Sequence, residues 1–140
     1  MKNRDIGYYI KTINDKLKVR ADADLKDRDL TLAQSRILRY LDECGGKTTQ
    51  KEIERYMEVT HPTVVGIISR MEQKGYLVCW MDPEDKRNKI VSLTEKSSAL
   101  SKEMKNHVEE TERKMLRSFS EEQVHQLLEM LSVIYQNLND

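Results

Sequence analysis

The chain has 140 residues, 38% of them hydrophobic and 34% charged, a soluble globular composition sized for one domain. Its 24 Lys and Arg balance 24 Asp and Glu, so overall charge supplies no attraction to nucleic acid or to an anionic membrane, and any such contact must come from local arrangement. Aromatic residues are 6% and the mean hydropathy is −0.73, which predicts a lean helical protein that buries further surface by forming a homodimer.

The first segment repeats Ile6, Ile10, Ile13 and Leu17 at helical spacing, a stripe that wants a partner. Lys2, Arg4, Lys11, Lys16, Lys18 and Arg20 outnumber Asp5 and Asp15 there, as a solvated face or as a phosphate-binding arm. Thr31-Leu32-Ala33-Gln34 is a capping box, in which the Thr oxygen accepts a backbone N–H and the Gln side chain reaches back. It opens a helix through Ile37, Leu38 and Leu41, with Tyr40 beside them, that Cys44-Gly45-Gly46 stops. Thr49-Gln50-Lys51-Glu52 reads as a second capping box, for a short helix with Ile53, Tyr56 and Met57 inward. A break at Val59-Thr60-His61-Pro62 leads into a helix from about Pro62 to Lys74, ended by Gly75.

The period then changes. Tyr76-Leu77-Val78-Cys79-Trp80 and Lys89-Ile90-Val91-Ser92-Leu93 flank a polar stretch and read as a β-hairpin with a charged tip. From Thr94 a long helix carries Leu100, Met104, Val108, Thr111 and Met115 on one stripe. Ser120-Glu121-Glu122-Gln123, a third capping box, opens a last helix faced by Val124, Leu127, Leu128, Leu131, Ile134, Tyr135 and Leu138. From 101 to 140 acids outnumber bases, Asp140 among them.

Helix, short helix, turn, helix and hairpin follow in the order of a winged helix-turn-helix, whose second paired helix enters the DNA major groove. The same order also serves protein-interaction modules, so a helical dimeric adaptor that binds protein stays open on the pattern alone. The fold class is therefore mainly α with a small β-hairpin wing, flanked by N- and C-terminal dimerisation helices. Three histidines, His61, His107 and His125, lack ligand spacing, and no metal site, cofactor, catalytic arrangement or phosphate loop is indicated, so the chain is not read as an enzyme. No apolar run approaches the roughly 18 residues of a membrane span, and the start lacks a signal-peptide pattern, which places the protein in the cytoplasm.

Several stretches together resemble the MarR family of transcriptional regulators: Leu30-Thr31-Leu32-Ala33-Gln34 with Ile37-Leu38 and Leu41, Pro62-Thr63-Val64, Arg70-Met71-Glu72-Gln73-Lys74-Gly75-Tyr76, Asp82-Pro83-Glu84-Asp85-Lys86-Arg87 and Val91-Ser92-Leu93-Thr94. The wing segment is the most specific of these. The resemblance covers nearly the whole chain, 1–140, as a single domain. It implies a winged-helix DNA-binding region over 31–94 and a helical dimerisation region over 1–28 and 95–140.

By that resemblance Thr60, His61, Pro62, Thr63 and Val65 face bases and phosphates, with Gly66 letting the backbone approach, while Val64, Ile67, Ile68 and Met71 face inward. Val65-Gly66 stands where many members carry polar residues, so base reading leans on apolar contact and shape. Arg87 enters the minor groove with Asp85 orienting its guanidinium; Lys86 and Lys89 add phosphate contacts, and Arg70 reaches a phosphate or an acid of the wing. Cys79 and Trp80 replace frequent basic residues, which predicts a shallow salt dependence. Ser97 stands at a frequent Gly, a matter of helix geometry.

The partners implied are an inverted-repeat DNA operator and a second copy of the chain, with repression as the usual mode. A small aromatic or phenolic effector is implied as well, with Tyr9, Ile13, Tyr40, Met104 and His107 as candidate pocket residues. A redox switch at Cys44 or Cys79 is the alternative signal, the two lacking C-x-x-C spacing.

Overall fold

Several helix starts in this chain are set by side chains that meet orphan backbone groups. In the computed structural model, which describes residues 3–139, Asp5 caps α1 (Ile6–Asp27) by accepting the Tyr8 N–H at 2.8 Å. Met1, Lys2 and Asp140, which the domain bounds and charge counts above include, lie outside the described residues. Thr31 and Gln34 close a full capping box on α2 (Leu32–Glu43), and Ser120 and Gln123 do the same for α6 (Glu121–Asn137).

The box expected at Thr49 closes on one side only. Its hydroxyl takes the Glu52 N–H at 3.2 Å at the start of α3 (Gln50–Met57), but the Glu52 carboxylate bonds Arg55 along the helix instead. Tyr56, expected inward on that helix, is 37% exposed and stacks on Tyr40 at 4.2 Å, its ring packing on α2 instead of entering the core with Ile53 and Met57. α4 spans His61–Gln73, one residue earlier than expected, since Pro62 is tolerated at the second helical position as well as the first.

Gly75 (φ +78°) ends α4 in the left-handed region that side chains avoid, and the Tyr76 N–H reaches back to the Met71 carbonyl at 2.9 Å. This closure uses Tyr76 at the helix end, so β2 begins one residue later than the pattern suggested, at Leu77–Met81. β2 pairs antiparallel with β3 (Lys89–Leu93), Leu77 opposite Leu93 and Met81 opposite Lys89. A third strand, β1 (Lys47–Thr49), which sequence reading left out, pairs on the other edge of β3, giving the order β1-β3-β2. α5 runs Glu95–Met115.

The chain divides into two compact units, residues 1–101 and 102–140. The first is built on Leu30, Ile37, Leu38, Leu41, Ile53, Met57, Val64, Ile67, Ile68, Met71, Tyr76, Leu77 and Val91, all buried. Burying an aliphatic side chain contributes roughly 1.5–3 kcal/mol, so this cluster is what holds α2, α3, α4 and the sheet together. α1 joins it through Leu25, while its Ile6, Ile10 and Ile13 stay exposed. In the second unit α6 has no buried residue, and Leu128, Leu131, Tyr135 and Leu138 are open to solvent.

Candidate nucleic-acid interface

α4 has two faces with different duties. Val64, Ile67, Ile68 and Met71 recur at helical spacing and are buried. Thr60, His61, Pro62, Thr63 and Val65 are exposed. Sequence reading separated the two sets in the same way, and the structure brings the second together over the first turns of α4. Thr60 is the N-cap by position yet makes no side-chain cap bond; its hydroxyl pairs with that of Thr63 at 2.9 Å. Gly66 lies under Arg70: a Cβ there would meet Nη1 at 3.6 Å, so the exposed guanidinium rests on the helix surface. Among the described residues Arg70 makes no ion pair with the wing.

A residue that sequence reading missed joins this group. Glu54 of α3 bonds Nδ1 of His61, across the turn between the paired helices. A seven-residue separation through a non-helical turn leaves no periodic signal, so only the fold reveals the pair.

The tip between β2 and β3 is held by local bonds: Asp82 N–H to the Asn88 carbonyl at 2.9 Å, Asn88 N–H to the Asp85 carbonyl at 2.9 Å, and Glu84 N–H to the Asp82 carboxylate at 3.0 Å. Asp85 then grips Arg87 three times, through Nε at 3.0 Å, Nη2 at 3.1 Å and the backbone N–H at 3.1 Å. This fork geometry fixes the guanidinium plane. The side-chain bonds, then the backbone bond, hold the Asp85 carboxyl below the usual carboxylate range, and Asp85 in turn raises Arg87. Arg87 remains fully open to solvent, with exposed Lys86 beside it and half-buried Lys89 at the start of β3.

Cys79 on β2 is partly buried; burial pushes its thiol up to about 11, Glu72 adds to this, and Lys89 opposes it. A thiol so placed is a poor nucleophile. Cys44 is exposed at the end of α2.

The expected effector residues are distributed. Tyr9, Ile13 and Tyr40 belong to residues 1–101, and half-buried Met104 and His107 to 102–140. Tyr9 pairs edge-on with Tyr8 at 5.3 Å, whereas Tyr40 stacks on Tyr56, whose ring lies under the Arg36 guanidinium at 5.6 Å. Burial first, and the neighbouring Cys44 second, raise the Tyr40 phenol above its ordinary range. An open cleft of about 420 Å³ is lined by other residues, Leu25, Lys26, Leu30 and Lys74 among them. Among the described residues no group of His, Cys, Asp and Glu is arranged to hold a metal, and no helix is long and apolar enough to cross a membrane.

Comparison with known proteins places this geometry. The sequence model of the MarR family matches residues 28–88, which take in α2, α3, α4, β1, β2 and the wing tip. A point variant of MepR from S. aureus is similar at 27% identity with a TM-score of 0.83, over 96% of this chain and 98% of that chain. The S. aureus MepR–DNA complex is similar at 28% identity and TM-score 0.75, over 94% and 98%. The reduced form of MarR from E. coli shares the fold, at 21% identity and TM-score 0.74, over 96% and 98%.

Proposed function

We propose that this chain, whose residues 28–88 match the MarR family, is a winged-helix DNA-binding regulator and that it reads a specific double-stranded operator. The observation that carries this reading is the outer face of α4. Its inner face is consumed by the core, so Thr60, His61, Pro62, Thr63 and Val65 have no intramolecular duty large enough to explain their exposure together. The similar MepR structure is a complex with DNA, which supports the same use here.

In this reading α4 lies in the major groove and Gly66 allows close approach. Arg87, plane fixed by Asp85, enters the minor groove, and Arg70, Lys86 and Lys89 meet phosphates. Two copies pair through 1–28 and 95–140, whose apolar residues on α1 and α6 are open, and the winged helix occupies 31–94. The operator is then an inverted repeat, and the protein a cytoplasmic, non-enzymatic homodimeric repressor released by a small aromatic ligand.

Fluorescence anisotropy against labelled duplexes from upstream of its own gene, with scrambled competitor, tests this. Saturable binding at about 10⁻⁸ M or tighter that survives competitor is expected, and phenolic compounds then lower it. Binding no tighter than about 10⁻⁶ M on every duplex overturns it in favour of a protein-binding adaptor.

A further inference from the structure

Glu54 lies on α3, away from the outer face of α4, and its side chain is only 20% exposed; His61, the first residue of α4, keeps 66% of its side chain in solvent. Their bond runs from the covered side of the turn to a ring that points outward. An ionised carboxylate has no proton to give and only accepts, so the bond requires the proton to be on Nδ1. With one proton on the ring, Nε2 is left as an acceptor, since the hydrogen bond at one imidazole nitrogen decides the role of the other.

An acceptor at Nε2 has restricted uses on DNA. Phosphate oxygens are acceptors too and offer it nothing. In the major groove adenine N6 and cytosine N4 carry donors, whereas guanine N7 and O6 and thymine O4 accept. We infer that Glu54 is a positioning residue that holds His61 in the Nδ1–H form, so that its Nε2 reads an adenine or cytosine amino group in the major groove. This rests on the DNA-binding reading above and narrows it. Glu54 touches no base itself; it converts an ambivalent ring into a one-way reader.

The structure offers a simpler role for the pair, a strut between α3 and α4, and the two roles separate by experiment. The full-length protein and its Glu54→Ala, Glu54→Gln and His61→Ala variants are each used to select from a pool of randomised duplexes of about 30 bp, with melting curves to establish folding. Wild type is expected to favour A or C about fivefold over G or T at one position per half-site, the worth of one hydrogen bond. His61→Ala flattens that position to within about twofold and leaves the others. Glu54→Ala flattens the same position although His61 is present. Glu54→Gln, whose amide bonds either nitrogen, gives an intermediate preference and keeps the test available should the alanine variant not fold.

Long-range ¹H–¹⁵N NMR of the imidazole, at alkaline pH and without DNA, is expected to show the Nδ1–H tautomer in wild type and a mixture in Glu54→Ala. A wild-type Nε2–H tautomer overturns the inference, and so does a selected motif identical in wild type and folded Glu54→Ala or Glu54→Gln. Failure to recover any motif with wild type sinks the DNA reading itself, an outcome distinguishable from both.

Discussion

Arg87 is held at the wing tip by bonds that cost its partner little: Asp85 lies two residues away, so no long loop is closed to bring them together. What the clamp supplies is orientation, since the guanidinium stays fully exposed and ready for a narrow groove. Arg87→Ala is expected to weaken operator binding by about tenfold or more without altering oligomeric state, read by anisotropy and light scattering. The Asp85 carboxyl takes its proton only below the ordinary range near ~3.9, so the clamp is intact at neutral pH and lost only in stronger acid. The opposite sign applies to Cys79. Its thiol, raised to about 11, is protonated at pH 8, so a Cys44→Ser variant should alkylate slowly there, its rate rising about tenfold per pH unit toward 11. Fast alkylation at pH 8 would contradict this. Asp85 with Arg87 was legible because both stand in one short wing motif; Glu54 with His61 was not, because the turn between their helices sets their approach.

Among the elements, those whose ends rest on neighbours in sequence were readable and those completed by a distant partner were not. Thr31 and Ser120 cap α2 and α6 from within four residues, and both boxes form as their sequences indicate. Thr31→Ala should therefore cost about 1 kcal/mol of unfolding free energy by denaturant titration, and Ser120→Ala a similar loss of local helix stability by hydrogen exchange. At Thr49 the same sequence sign closed on one side only, because an i,i+3 partner, Arg55, competes for the Glu52 carboxylate. β1 carried no sign at all: Lys47-Thr48-Thr49 has no apolar alternation, and becomes a strand only through pairing with Ile90, Val91 and Ser92.

At the scale of the whole molecule, the apolar stripes of α1 and α6 stand exposed among the described residues. Ile6, Ile10 and Ile13 on one helix, and Leu128, Leu131 and Tyr135 on the other, are open to solvent, and in the proposed homodimer a second copy covers them. Paired two-fold, the recognition helices would lie roughly 34 Å apart and read half-sites about 10 bp apart. Ile10→Lys combined with Leu131→Lys should shift the mass by light scattering from dimer to monomer. Operator affinity should fall by about a hundredfold or more, because each half-site is then bound alone. A wild-type monomer at micromolar concentration would contradict this arrangement.

What the sequence determined by itself is the set of local choices: which residues alternate, which cap, which break a helix, and the wing motif that carries the resemblance to the MarR family. Those depend on backbone sterics and on hydrogen bonds within a few residues, so one dimension holds them. The tertiary structure alone decided that β1 exists, that Tyr56 leaves the core to stack on Tyr40, and that Glu54 meets His61. Each of these depends on a partner brought near by a turn or by sheet pairing, and proximity in space is a property of the folded chain rather than of its neighbours in sequence.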